Sequence, residues 1–203
     1  MTVPGSDAAL GRSRGGLVRL SKFLSLVLRH RPEAAGVALD AEGWADVDQL
    51  IQGCRAARLP LDRAMLERIV GEDAKGRYSL SSDGRRIRAN QGHSVAVDLG
   101  LAAVPPPGML FHGTTPAVLQ AVKREGLTKR SRRHVHLSAD IPTAQAVGRR
   151  RGRAVVLPVR AGTMQADGGH AFFRSANGVW LTDAVPPAYI EFEAAIHDGG
   201  PSA

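Results

Sequence analysis

The sequence predicts an α+β protein built of two lobes. Three observations predict it. Between residues 17 and 71, apolar side chains recur at helical spacing. After residue 108 they fall in short runs typical of strands, with few helical stretches between. Separating the two is Ala102-Ala103-Val104-Pro105-Pro106-Pro107-Gly108, whose prolines cannot donate backbone hydrogen bonds and favour stiff, extended chain. The expected organisation is a flexible tail over 1–16, a first lobe over 17–101, a linker over 102–108, a second lobe over 109–197 and a tail over 198–203.

In the first lobe, Leu20, Phe23, Leu24 and Val27 follow a helical period. Pro32 disfavours helical geometry at Arg31, so that helix should stop near His30. Asp46 followed by Gln49 resembles a capping box and opens a second helix through Leu50, Ile51 and Cys54. A third helix is expected from Asp62 to Val70. Tyr78 and Leu80 then alternate with polar residues, Asp83-Gly84 signals a turn, and Ile87 lies on a return strand. Three helices and a basic hairpin suggest a winged-helix module.

In the second lobe, strands are expected at Met109–Phe111, His134–Leu137, Ala154–Arg160, Gly178–Leu181 and Tyr189–Phe192. Helices are expected at Pro116–Glu125, with Gly126 as its stop, and at Thr143–Arg151. The order is not the regular alternation of a doubly wound sheet. Neither a Gly-rich dinucleotide fingerprint after a strand nor a phosphate loop ending in Gly-Lys-Ser/Thr is present.

Composition narrows the function. The 203 residues carry 27 Lys+Arg against 19 Asp+Glu, a net charge of +8, and only four of the basic residues are Lys. Arginine offers a planar fork for phosphate, which suits a phosphate-rich partner; a GC-rich genome would produce the same bias. No apolar run approaches the ~20 residues of a membrane helix, and the N-terminus lacks the order of a signal peptide. Cys54 is the single cysteine, so an intrachain disulfide and a multi-cysteine zinc site are excluded, and a cytoplasmic setting is expected. No heptads or long exposed apolar face are evident, so a monomer is expected.

The candidate site residues are arginines and histidines. Arg29 and His30 close the first helix, where cations complement the helix dipole or hold an anion. Arg77 opens the hairpin; Arg85, Arg86 and Arg88 follow and form either a solvated face or a track for a nucleic-acid backbone. Gln91, Gly92, His93 and Ser94 form a plain turn or a set of short donors and acceptors. His112, Gly113 and Thr114 end a strand with a ring, an open backbone and a hydroxyl. His134 and His136 alternate on a strand and share a face, but no third ligand is close in sequence, and Arg130, Arg132 and Arg133 favour an anion over a metal. Paired carboxylates and a Gly-x-Ser-x-Gly elbow are missing, so hydrolytic nucleophile chemistry has little support.

The segments SKFLSLVLRHRPE, GW before a helix, KGRYSL, RANQGHS, LFHGTT, RRHVHLS and NGVWLTDAVPPAYI occur in this order over roughly residues 17–195. Together they resemble the RNA 2′-phosphotransferase family of KptA type. The resemblance implies a winged-helix lobe that binds an RNA 2′-phosphate, then an ADP-ribosyltransferase-like lobe that binds NAD. It implies attack of an internal RNA 2′-phosphate on the nicotinamide ribose, with loss of nicotinamide. Transesterification then yields RNA with a 2′-hydroxyl and ADP-ribose 1″,2″-cyclic phosphate. NAD is consumed as a co-substrate, no metal is expected, and the partner is RNA of the tRNA splice-junction type.

The resemblance carries the catalytic roles to Arg29, His30, Arg77 and Arg132, with Arg133 as the alternative to Arg132. It carries NAD contact to His112, Gly113 and Thr114, and further to His136, Ser138, Ser175, Asn177 and Gly178. Gln91, Gly92, His93 and Ser94 are expected near RNA or phosphate. Many ADP-ribosyltransferases place a Glu where this chain has Val179, which disfavours transfer to a protein side chain. The competing expectations are an NAD-dependent ADP-ribosyltransferase acting on terminal phosphates of RNA or DNA, and a non-catalytic RNA-binding protein.

Overall fold

The computed structural model of the chain describes residues 14–198. The expected tails over 1–13 and 199–203 lie outside these residues. The chain divides after Gly100 into two compact units.

The first unit opens with α1 (Arg14–Arg29). It begins three residues before the expected start at 17, so Arg14, Gly15 and Gly16 are helical rather than tail. Once Leu20, Leu24, Val27 and Leu28 are buried, each further turn needs only its own backbone bonds. The helix stops where Pro32 requires, and a 3-10 turn (Pro32–Ala35) follows. Next come β1 (Trp44–Asp46), α2 (Val47–Ala56), α3 (Arg63–Gly71), β2 (Tyr78–Leu80) and β3 (Arg86–Ala89). Asp46 and Asp62 cap α2 and α3, accepting hydrogen bonds from the amides of Gln49 (2.9 Å) and Met65 (2.7 Å).

The strands form one antiparallel sheet in the order β1-β3-β2. Alternation sends Ala45, Ile87 and Ala89 into the core with Leu50, Ile51, Cys54, Leu66 and Ile69. The opposite face carries Trp44 beneath the guanidinium of Arg88, 4.5 Å from the ring centre. Strand β1 was not expected from the sequence.

The second unit contains β4 (Leu110–Thr114), α4 (Leu119–Glu125), β5 (Leu127–Thr128), β6 (Val135–Leu137), α5 (Ile141–Gly148), β7 (Val155–Val159), α6 (Ala161–Ala166), β8 (Phe173–Arg174), β9 (Trp180–Thr182), β10 (Ala184–Val185) and β11 (Ile196–His197). Two antiparallel sheets, β11-β7-β4 and β6-β9-β8, join through a bridge between Phe111 and Ser138. A small pair, β10-β5, stands apart from them. All five residues of β7 are buried, as a central strand requires.

Several expectations need correction. Tyr189–Phe192 is not a strand: Pro187–Tyr189 forms a 3-10 turn, and Ile190 makes only an isolated bridge to Val159. Two prolines at 186 and 187 fix the turn geometry there. Asp198 is no tail residue, since its carboxylate holds the Arg149 guanidinium at 2.6 Å and its amide donates to Ala154 O. Val104 of the proline-rich stretch donates to Phe172 O at 2.8 Å, so that segment borders the second unit. Among the described residues, no helix is long and apolar enough to cross a membrane.

Candidate functional site

In the first unit, the end of α1 leaves carbonyls without helical partners. The Arg29 carbonyl accepts the Ser94 amide at 2.9 Å, and the Ser94 hydroxyl lies 2.9 Å from His30 Nδ1. The chain reaches Ser94 through Gly92, at φ +88°, where a Cβ would stand 3.6 Å from Arg29 Nη1. Gly92 thus lets the segment turn left-handed beside the guanidinium. His93 is buried next to Gly43, and Gln91 is half-buried. The expected pair Arg29 and His30 is therefore assembled with Gly92 and Ser94, more than sixty residues downstream in sequence.

The same segment reaches Arg77. The amide of Asn90 donates to Arg77 O at 2.8 Å, and its side-chain amide donates to Gly76 O at 2.7 Å. Asn90 is buried, and Ser79 Oγ donates to its Oδ1 at 2.7 Å. Arg77 itself is held by Asp73, whose carboxylate accepts from both the amide and Nη1 of Arg77. Asp73 was missed in the sequence. The signal was an acidic residue four positions before a site arginine, in a turn rather than on a helix.

In the second unit, β4 and β6 pair through Phe111 and Ser138, whose amides and carbonyls exchange bonds of 2.8 and 2.9 Å. One residue on, His112 Nδ1 lies 3.0 Å from the His136 carbonyl. A carbonyl only accepts, so Nδ1 carries the proton and donates, which leaves Nε2 as an acceptor. Burial lowers the His112 pKa below its ordinary 6.5, and the nearby Arg151 and Arg132 add to the effect. Arg132 follows a turn in which its amide donates to Lys129 O, and its Nη1 stands 3.5 Å from His136 Nδ1. Burial and the charges of Arg151 and Arg150 lower the Arg132 pKa as well. Arg132, His136 and His112 thus come together. The guanidiniums of Arg150 and Arg151 repel that of Arg132, an arrangement that an anion would relieve.

Gly113 has a packing reason. A Cβ there would lie 1.8 Å from the Ala144 carbonyl, so α5 presses directly on β4. Thr114 is buried at the end of the strand. Ser175, Asn177 and Gly178 make the turn between β8 and β9. The Ser175 hydroxyl accepts from the Val179 amide at 3.1 Å and lies 2.8 Å from Asn177 Oδ1, while Gly178 donates to Ser175 O. Among the described residues, no three His, Cys, Asp or Glu side chains converge as metal ligands. Burial pushes the Cys54 thiol up to about 11, so it is no nucleophile at neutral pH.

The fold and site define a two-unit α+β protein with an arginine–histidine cluster in each unit. A family model described as RNA 2′-phosphotransferase, Tpt1 / KptA family, matches residues 16–184. A protein of Agrobacterium fabrum named "Probable RNA 2′-phosphotransferase" is 56% identical over 174 residues, 86% of this chain and 93% of the relative. Proteins of the same name from Flavobacterium johnsoniae and Streptomyces coelicolor are 50% and 49% identical, over 86% and 87% of this chain and 96% of each relative. The chain belongs to the Tpt1/KptA family of RNA 2′-phosphotransferases.

Proposed function

We propose that this protein is an NAD-dependent RNA 2′-phosphotransferase, which removes an internal 2′-phosphate from RNA. The single observation that carries the reading is the extent of the family match, residues 16–184, which takes in both units. The helix, strand, two helices and hairpin of the first unit fit a winged-helix module that receives the RNA. The second unit, with two small antiparallel sheets joined through Phe111 and Ser138, fits an ADP-ribosyltransferase-like lobe that receives NAD.

The residues present suit these ligands. In the first unit, Arg29, His30 and Arg77 take the 2′-phosphate, with Gly92 and Ser94 shaping the approach. The phosphate is already an anion, so it needs orientation more than a strong base. His30, tied to Ser94 through Nδ1, is kept in a fixed orientation toward it. In the second unit, neutral His112 offers Nε2 to a ribose hydroxyl of NAD. His136, Ser138 and the turn at Ser175, Asn177 and Gly178 are assigned further contacts to NAD. Arg132 completes the catalytic set by stabilising charge on phosphoryl oxygens. Bound NAD supplies the ribose carbon that accepts the phosphate and the nicotinamide that leaves. The products are RNA with a 2′-hydroxyl, nicotinamide and ADP-ribose 1″,2″-cyclic phosphate.

The test is incubation with NAD and an RNA bearing one radiolabelled internal 2′-phosphate. The expected result is label in a cyclic phosphate of ADP-ribose, with nicotinamide released. Label held on an RNA that has gained ADP-ribose would support the terminal-phosphate ADP-ribosyltransferase instead. Untouched label with intact NAD would reject the reading.

A further inference from the structure

We propose that Asp73 is a positioning residue for phosphate recognition, acting through Arg77. The inference rests on the reading above that Arg77 contacts the RNA 2′-phosphate. Its support is geometric. Asp73 sits in the turn between α3 and β2, and its side chain is only 6% exposed, while that of Arg77 is 31% exposed. A carboxylate this enclosed is stable only when its oxygens are satisfied. Oδ1 accepts from Arg77 Nη1 and from the Lys75 amide at 3.3 Å; Oδ2 accepts from the Arg77 amide. Asp73 therefore fixes both ends of one residue, its backbone and its guanidinium.

This clamp removes freedom where it matters. An arginine side chain has many rotamers, and an unclamped Arg77 would lose that freedom on meeting a phosphate. Asp73 engages Nη1, so this ion pair does not take up the Nε and Nη2 donors. The backbone of Arg77 is pinned from its other side by the Asn90 amide, so the guanidinium starts from a fixed root. A negative charge beside a phosphate-binding arginine also weakens its field. Positioning and field therefore predict opposite signs, and the experiment separates them.

The measurement compares two RNA oligomers, identical except for one internal 2′-phosphate, titrated onto the full chain without NAD. The readout is the ratio of the two affinities, which isolates recognition of the phosphate. The wild-type protein is expected to prefer the phosphorylated oligomer. Asp73→Asn should cut that preference roughly tenfold, the scale of a hydrogen bond to a charged group. Binding of the unphosphorylated oligomer and the melting temperature should change little. Asp73→Ser keeps a short acceptor for the turn and serves if Asp73→Asn does not fold. Arg77→Ala should lose at least as much preference, and adding Asp73→Asn to it should cost nothing more.

An unchanged or increased preference in Asp73→Asn, with Arg77→Ala impaired, overturns the positioning role alone. So does a loss that adds to that of Arg77→Ala, because Asp73 would then act without Arg77. A wild-type protein with no preference for the phosphate overturns the functional reading and the positioning role together.

Discussion

A methyl group at position 113 would lie 1.8 Å from the Ala144 carbonyl oxygen, and one at position 53 would lie 1.8 Å from the Ala35 carbonyl. Both clashes are with backbone, which cannot rotate aside. Gly113→Ala should lower stability by about 3 kcal/mol, read as a thermal midpoint lower by roughly 10 °C. An unchanged midpoint would mean that α5 can lift from β4 at little cost. Arg132 poses a chemical question at the same scale. Its turn presents it beside His136 and within the field of Arg150 and Arg151. Arg132→Ala should reduce phosphate removal by a factor of about 100 or more while the circular dichroism spectrum is retained. Normal turnover would remove Arg132 from the set and turn attention to Arg133. The motif letters singled out Arg29, His30, Arg77 and Arg132 in the sequence as candidates. What they could not reveal is how His30, Arg77 and Arg132 are held, because Ser94, Asp73 and the His136 ring reach them only through folded turns.

Elements were legible where the signal is local. Pro32 stops α1, Asp46 and Asp62 cap their helices, and Asp83-Gly84 turns the hairpin, all by rules that act within a few residues. Strand β1 was not legible, since its three residues gain their identity only by pairing with β3 about forty positions away. Short α6 escaped for a related reason: Ala161 and Met164 are helical because they fill the second core, not because their local pattern is strong. The capping aspartates give a simple test. Asp46→Ala or Asp62→Ala should each lower stability by about 1 kcal/mol in denaturant melts, because the amide of Gln49 or Met65 loses its acceptor. No change in either would mean that water replaces the cap freely.

At the scale of the whole molecule, each unit has its own core, and the titration of His112 belongs to the second one. Its folded pKa lies below 6.5, mainly because burial disfavours the charged ring. The unfolded chain then binds a proton at a pH where the folded chain does not. Stability is thus unaffected by His112 well above pH 6.5, and it falls as pH drops below 6.5 toward the folded pKa, where the loss levels off. The Asp198 carboxylate, held below its ordinary 3.8 by Arg149, loses its contribution only in a more acidic window. His112→Asn keeps a donor for the His136 carbonyl but cannot titrate, so it should flatten the fall of the second unit's melting temperature below pH 6.5. Arg151→Gln should act in the same direction more weakly, by raising the His112 pKa in an NMR titration. The same burial that weakens the protein in acid keeps Nε2 of His112 an acceptor at neutral pH, able to receive a hydrogen bond from a ligand hydroxyl. Identical pH slopes in wild type and His112→Asn would show that the ring is not held neutral by the fold, and the acceptor role assigned to it would fall with that result.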